Sequence, residues 1–313
     1  MMIPLHRLRG LTAPLVLSLL IVSSAPLPAR AQAGLKKHVV HADDAHALVV
    51  WAKAPSGSAR GEILLLHGRT WSSLPNFDLH APGVRVSLMD ALVERGYAVY
   101  ALDQRGYGAT SRDASGWLTP NRAADDAGNV LDWISARSPL KRRAAMLGYS
   151  RGSTTVMLAA QRHPDKLSAL VLYAFPNNLE QPGDPVPEPA APPRARTTAE
   201  GAGEDFITPE STPIGVKEAY VRAATASDPV RVDWRREAEE MRALDPSRIR
   251  VPTLLINGER DAYAEAASLP TLFPRLGTAD RWWVVLAKAD HAAHLERQSA
   301  FVQAVVSFLE RPR

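Results

Sequence analysis

The chain has 313 residues, 46% hydrophobic and 22% charged, the balance of a soluble globular protein rather than a disordered or fibrous one. Its net charge of +4 is mild and its arginines are scattered, without a basic block or aromatic interleaving, which sets nucleic acid aside as a partner. No cysteine is present, so disulfides and a lipid-modified N-terminal cysteine are both excluded.

At the N-terminus, Arg7 and Arg9 precede a stretch that carries no charge until Arg30, and residues 15–22 within it have the length of a signal-peptide h-region. Ala29-Arg30-Ala31 offers a cleavage site before Gln32, and Ala31-Gln32-Ala33 a second. The expectation is a signal peptide over 1–31 and export to a periplasm or beyond, with no stable membrane insertion after cleavage. An uncleaved anchor is the alternative, because residues 10–29 are uncharged and nearly long enough to span a bilayer.

From residue 38 onward, short apolar runs alternate with helical patterns. Residues 38–41 and 47–51 read as two strands joined at Asp43-Asp44. The runs at 62–66, 97–102, 144–147, 170–173, 253–256 and 282–286 lack polar alternation, as strands covered on both faces do. Between them, 87–95 ends at Gly96, which reads as a helix-stopping C′ glycine, 123–137 carries Val130, Trp133 and Ile134 at helical spacing, 153–163 stops before Pro164, and 295–309 is a last helical run with one apolar face. This order predicts an α/β fold with a mostly parallel, doubly wound sheet and an antiparallel hairpin at one edge.

One stretch breaks the rhythm. Seven prolines fall within 176–196, then Thr212-Pro213 reads as the cap of a helix over 214–225 and Asp233 as the cap of another over 234–244. The expected organisation is therefore a core in two parts, 35–175 and 247–313, with a helical cap or lid at 176–246. Ligand crevices of open α/β sheets lie at the strands' C-terminal edge, where such an insertion would sit. Tyr220 and Trp234 either line that crevice or pack against the domain beneath.

Residues 147–153 read LGYSRGS, a G-x-S-x-G pattern between an apolar strand and a helix. A serine hydroxyl needs a base to become a nucleophile, and a sharp strand-to-helix turn lifts it clear of the backbone. Ser150 is the candidate nucleophile. His291, after the strand at 282–286, is the candidate base, with His294 as its competitor. Asp261, after the strand at 253–256, is the candidate acid that orients the imidazole, with Glu259 and Asp290 as alternatives.

With those residues in order, the chain resembles the α/β-hydrolase superfamily, in its lipase, esterase and serine-aminopeptidase-like branch with an inserted cap. LLLHGRTWSS is similar to the His-Gly loop after the third strand, ALDQRGYGATS to the loop after the fourth, LGYSRGS to the nucleophile elbow, LLINGERDAYA to the acid loop, and KADHAAHLERQ to the G-H-x-x-x-x-E ending. The resemblance implies a Ser150, Asp261, His291 triad and an oxyanion hole made by the backbone N–H groups of Arg69 and Arg151, with His67 and Gly68 shaping the loop and Asp103 and Arg105 bracing a neighbouring one. Two features depart from the pattern: Asp290 replaces the usual glycine before the histidine, and arginine stands at both oxyanion positions, 69 and 151. The arginine side chains either pair with carboxylates or reach the substrate and favour an anionic group.

The implied reaction is hydrolysis of a small-molecule carboxylic ester through an acyl-serine. Amide or N-terminal peptide hydrolysis and acyl transfer are the alternatives on the same triad, and a non-catalytic small-ligand binder on the same fold is the alternative of another class. A serine nucleophile excludes the branches that use an aspartate. No metal-ligand constellation, phosphate loop or dinucleotide fingerprint is present in the sequence, so no cofactor and no metal are implied.

Overall fold

The computed structural model describes residues 34–176, 187–264 and 268–312. The signal-peptide reading of 1–31 and the middle of the proline-rich stretch, 177–186, lie outside the described residues. No described helix is long and apolar enough to cross a membrane.

Eight strands form the central sheet: β1 Lys36–His41, β2 Ala47–Lys53, β3 Gly61–Leu66, β4 Tyr97–Asp103, β5 Ala145–Tyr149, β6 Ala169–Tyr173, β7 Thr253–Gly258 and β8 Arg281–Leu286. Their spatial order is β1-β2-β4-β3-β5-β6-β7-β8. The β1–β2 and β2–β4 pairs are antiparallel and the rest parallel, so the hairpin occupies one edge. β3 shows why its sequence is apolar without alternation. Successive side chains point to opposite faces, and both faces are covered. Leu64 and Leu66 enter one core with Val130, Ile134 and Val156. Ile63 and Leu65 enter the other with Leu88, Leu92 and Phe301.

Ten helices flank or extend the sheet among the described residues. α1 Ser73–Phe77 and α2 Leu88–Glu94 precede β4, α3 Pro120–Arg137 precedes β5, and α4 Arg151–Arg162 follows it. α3 starts earlier than its apolar pattern, because Thr119 caps it through the amide of Arg122 and Pro120 opens the first turn. α5 Ala199–Gly203, α6 Val216–Ser227 and α7 Glu237–Met241 lie between β6 and β7. α8 Leu269–Leu272 follows β7, and the C-terminal helical run is two helices, α9 Ala293–Glu296 and α10 Gln298–Leu309, broken at Arg297.

The insertion departs from its sequence reading in two places. α6 is not capped by Thr212; the chain enters it through Gly215 at φ 80°, and the Thr212 hydroxyl donates to Glu296 instead, at 3.3 Å. Asp233 does not cap a helix over 234–244. Asp233–Trp234 is a short strand paired in parallel with Trp117–Leu118, and Arg236 at φ 58° turns the chain before the five-residue α7 begins. An aspartate ahead of the run reads locally as a helix cap, but pairing with a partner strand decides the structure. The insertion packs Phe206, Val216 and Tyr220 against Trp71, Ala292 and Leu295 of the sheet domain. Asp228 fastens it to the sheet domain by accepting from the amides of Ser72 and Gly108, both at 2.8 Å.

Candidate active site

Ser150 stands between β5 and α4 with φ 53° and ψ −123°, a conformation that costs a non-glycine residue about 1–3 kcal/mol and persists only where its surroundings impose it. Here its amide donates to the carbonyl of Tyr173 at 2.9 Å, and its carbonyl accepts from the amide and hydroxyl of Ser153 at 2.8 and 2.6 Å. The two glycines of the pattern are steric necessities. A Cβ on Gly148 would overlap the Gly152 carbonyl, and one on Gly152 would overlap the carbonyls of Leu66 and His67. Tyr149 is buried while Ser150 is partly exposed, at the N-terminus of a twelve-residue helix whose dipole favours negative charge.

The loop after β3 closes against this turn. A Cβ on Gly68 would lie 3.3 Å from that of Ser150. His67 is fully buried; its Nε2 accepts from the Gln104 amide at 3.1 Å, which leaves Nδ1–H to donate to the Gly68 carbonyl at 2.9 Å. Burial holds its pKa below the ordinary value despite the nearby carboxylates of Asp103 and Asp228, so the ring is a neutral strut. The carbonyl of Arg69 accepts from the Tyr107 hydroxyl, which in turn accepts from the Trp234 indole at 2.8 Å. Among the described residues, the backbone N–H groups of Arg69 and Arg151 meet no hydrogen-bond acceptor. At Arg151 this follows from its place as the first residue of α4.

In the loops after β7 and β8, His291 Nδ1 lies 2.9 Å from both carboxylate oxygens of Asp261. The carboxylate is sealed from water, and its Oδ1 also accepts from the amides of Tyr263 and Ala264 at 3.0 and 2.9 Å. Burial alone would lower the His291 pKa. The hydrogen bond and charge of Asp261, with the charges of Asp205 and Asp290, outweigh it and raise the pKa above the ordinary imidazole value. The ring sits 5.1 Å from that of Tyr149 and 5.2 Å from that of Tyr263, centroid to centroid. The structure thus brings His291 beside the residue preceding Ser150. No hydrogen bond joins Ser150 Oγ to His291 among the described residues, and His291 Nε2 has no protein partner there. Such contacts are often long before substrate binds.

The competing candidates have other partners. His294 is buried with Nε2 2.8 Å from the Asn76 carbonyl and Nδ1 3.0 Å from the Tyr173 hydroxyl, and burial drives its pKa down to about 3. Glu259 accepts from the Lys288 amide. Asp290 accepts from the Thr208 amide of the insertion at 2.6 Å. Asp103 accepts from the Trp51 indole and the amides of Ser73 and Ala109, and Arg105 pairs with Asp126 and Asp44. Tyr220 donates to Asn76, and both it and Trp234 pack in buried positions.

Three residues at the site carried no signal in the sequence reading. Tyr263 is half-exposed at the mouth beside His291. Asp205 meets the Tyr149 hydroxyl at 3.4 Å; burial raises its pKa, opposed by the charge of His291. Glu237 accepts from Arg69 Nη1 at 2.8 Å and lies 3.2 Å from Arg151 Nη2. Only an asparagine- or glycine-like turn signal would have marked the bend that delivers Glu237, and Arg236 stands there instead. For metals, Asp78, His80 and Asp90 are the one grouping with suitable spacing among the described residues. The Lys53 ammonium already lies 2.5 and 2.6 Å from Asp78 and Asp90, supplying the cation itself.

The family model for serine aminopeptidase, S33 matches residues 57–298. Among solved structures, a hydrolase from Pseudomonas aeruginosa is 22% identical with a TM-score of 0.63, covering 88% of this chain and 99% of that one. E-2-(acetamidomethylene)succinate hydrolase is 20% identical with a TM-score of 0.61, covering 89% of this chain and all (100%) of that one. A thermophilic esterase from Thermogutta terrifontis, solved with malate bound, is 18% identical with a TM-score of 0.60, covering 88% and 98%. A search of curated proteins returned no match.

Proposed function

The chain is a hydrolase belonging to the serine aminopeptidase, S33 family of α/β-hydrolases, and on that premise we propose that it cleaves a carboxylic ester through an acyl-Ser150 intermediate. His291 Nε2 takes the serine proton as Oγ attacks the carbonyl, and Asp261 holds Nδ1–H and stabilises the imidazolium. The amides of Arg69 and Arg151 receive the oxyanion, each donor contributing about 3 kcal/mol to the transition state. The imidazolium then protonates the leaving alcohol, and the same nitrogen activates the water that releases the acid. The observation that supports this reading is the sealed Asp261 carboxylate bonded to His291 Nδ1, with the imidazole packed near Tyr149, the residue before Ser150.

Ester rather than amide is favoured because the fold is shared with the Thermogutta esterase. Amide or N-terminal peptide hydrolysis is the second reading, supported by the family's aminopeptidase description and by Asp205, a carboxylate placed to meet an amine near His291. We also propose that the insertion between β6 and β7 is a cap over the cleft and that residues 1–31 direct export. A fluorophosphonate should label the protein stoichiometrically, and Ser150→Ala should abolish both labelling and turnover of p-nitrophenyl esters. Aminoacyl arylamides run beside the esters decide between the two readings. Folded protein that takes no label is the result expected of a ligand binder and would end the proposal.

A further inference from the structure

The arginines flanking the serine turn are short of negative charge. Arg69 follows Gly68, which stands against Ser150, and Arg151 follows Ser150 directly, so both side chains start within one residue of the hydroxyl. Both turn to one carboxylate, that of Glu237, and among the described residues no other carboxylate pairs with either guanidinium. Two positive charges therefore face one negative charge. A guanidinium carries five N–H donors, and Glu237 engages one nitrogen of each. None of the remaining nitrogens of Arg69 or Arg151 is both sealed from water and unpartnered, so their unused donors reach solvent. The Arg151 side chain is nonetheless largely withdrawn from bulk water, and burial lowers its pKa although the Glu237 charge opposes it. A half-compensated cation in that setting attracts an anion more strongly than one in free solution.

Among the described residues, the Glu237 carboxylate is held by Arg69 and Arg151 alone. Glu237 opens the short α7, just after the left-handed turn at Arg236, in a segment anchored by side chains other than its own. Trp234 fixes the segment through Tyr107, and Glu240 fixes it by accepting from the Asn121 amide at 2.6 Å. The Glu237 carboxylate can thus leave the arginines by side-chain rotation without dismantling the insertion. A planar carboxylate bridging two guanidiniums is also the geometry in which a substrate carboxylate would be received.

We propose that Arg69 and Arg151 form an anion subsite beside the scissile bond, that Glu237 fills it in the absence of substrate, and that the preferred ester carries a carboxylate a few bonds from the reacting carbonyl. This rests on Ser150 being the nucleophile. It differs from a role for the arginines in the oxyanion site alone, which would favour acidic and neutral esters equally.

The test compares mono-p-nitrophenyl succinate and glutarate with p-nitrophenyl butyrate and pentanoate, which match them in chain length, with Ser150→Ala as the background. The acidic-to-neutral ratio of kcat/KM is expected to fall about tenfold in Arg69→Leu, the size of one charge-assisted contact. It is expected to rise roughly threefold or more in Glu237→Gln, where the competing anion is gone, and to shrink as salt is added. Because each ratio is internal to one preparation, partial unfolding of a variant does not distort it. As a readout without turnover, glutarate should slow fluorophosphonate labelling of the wild type and lose that effect in Arg69→Leu. Ratios that are equal in all three proteins, with no protection by glutarate, overturn the subsite while labelling of Ser150 keeps the serine-hydrolase reading intact. Absence of labelling overturns that reading and the subsite with it.

Discussion

The two sides of the cleft are built on different principles and carry opposite charge. The serine side, made of the β5–α4 turn and the loop after β3, is shaped by backbone: a positive-φ serine, two glycines with no room for a Cβ, and amides left without acceptors. Its side-chain charge is positive, from Arg69 and Arg151. The histidine side, made of the loops after β7 and β8, is shaped by side-chain hydrogen bonds among His291, Asp261, Asp290 and Glu296, with Asp205 of the insertion adding its charge. Steric change should therefore damage the first side, whereas the second should respond to titration and to loss of single carboxylates.

The sharpest way to break that contrast is Asp261→Asn. The amide nitrogen cannot accept from Nδ1–H, so His291 loses both its tautomer and the stabilisation of its charged form. On the proposed mechanism, kcat/KM for a p-nitrophenyl ester is expected to drop about 10⁴-fold, as in serine triads that lose the aspartate's charge. The fluorophosphonate labelling rate should fall in parallel, since the two share the same attack. A loss smaller than tenfold would detach Asp261 from the histidine's chemistry.

A gentler change separates charge from contact. Asp205 does not touch the His291 ring through a hydrogen bond, yet its charge is one of those that raise the ring's pKa above 6.5. The proposed mechanism needs the base form for attack, so the acid limb of the kcat/KM profile should lie above the ordinary imidazole value. Asp205→Asn removes a negative charge, lowers the pKa and should move that limb to lower pH while leaving the plateau near the wild-type level. If the limb stays in place in a profile taken with a neutral ester, the field of the insertion does not reach the imidazole.

The two sides also differ in how far the sequence discloses them. The serine turn is legible because its physics is local: glycines at fixed offsets, an apolar strand before and a helix after. Asp261 and His291 are legible because each follows a strand whose continuous apolar run marks it as buried, and loops at that edge converge. The insertion is not legible in the same way. Trp234 has the spacing of a helical residue, but its indole N–H finds Tyr107 and its backbone pairs with Trp117–Leu118, neither of which is near it in sequence. Asp205 arrives from the turn after α5, next to Phe206 packed with Val216 and Tyr220, and Glu237 from the short α7, whose segment is anchored through Trp234 and Glu240 to residues distant in sequence. Asp290, a departure from the family pattern at the level of sequence, proves to be a tether, since its carboxylate receives the Thr208 amide of the insertion.

That tether supports the smallest and most specific expectation. Burial, reinforced by the neighbouring Asp290, pushes the Glu296 carboxyl up to about 9, so at neutral pH it holds a proton and can donate to Asp290. Its Oε2 meanwhile accepts from the Asp290 amide at 2.7 Å, and its Oε1 accepts from the Thr212 hydroxyl at 3.3 Å. In the unfolded chain the same carboxyl titrates near 4.5. Folding therefore takes up a proton between those two values, and the unfolded state binds fewer protons across that window. The stabilising contribution is complete below the unfolded value and is lost progressively as pH rises through the folded one. Glutamine keeps a donor and an acceptor but cannot ionise. Tm of the wild type should accordingly fall relative to Glu296→Gln between about pH 5 and about pH 10, with the two converging at the acid end. A gap that is constant with pH would mean that Glu296 is ionised throughout. The carboxylates on the histidine side would then be compensated in another way, and its contrast with the serine side would be one of charge alone.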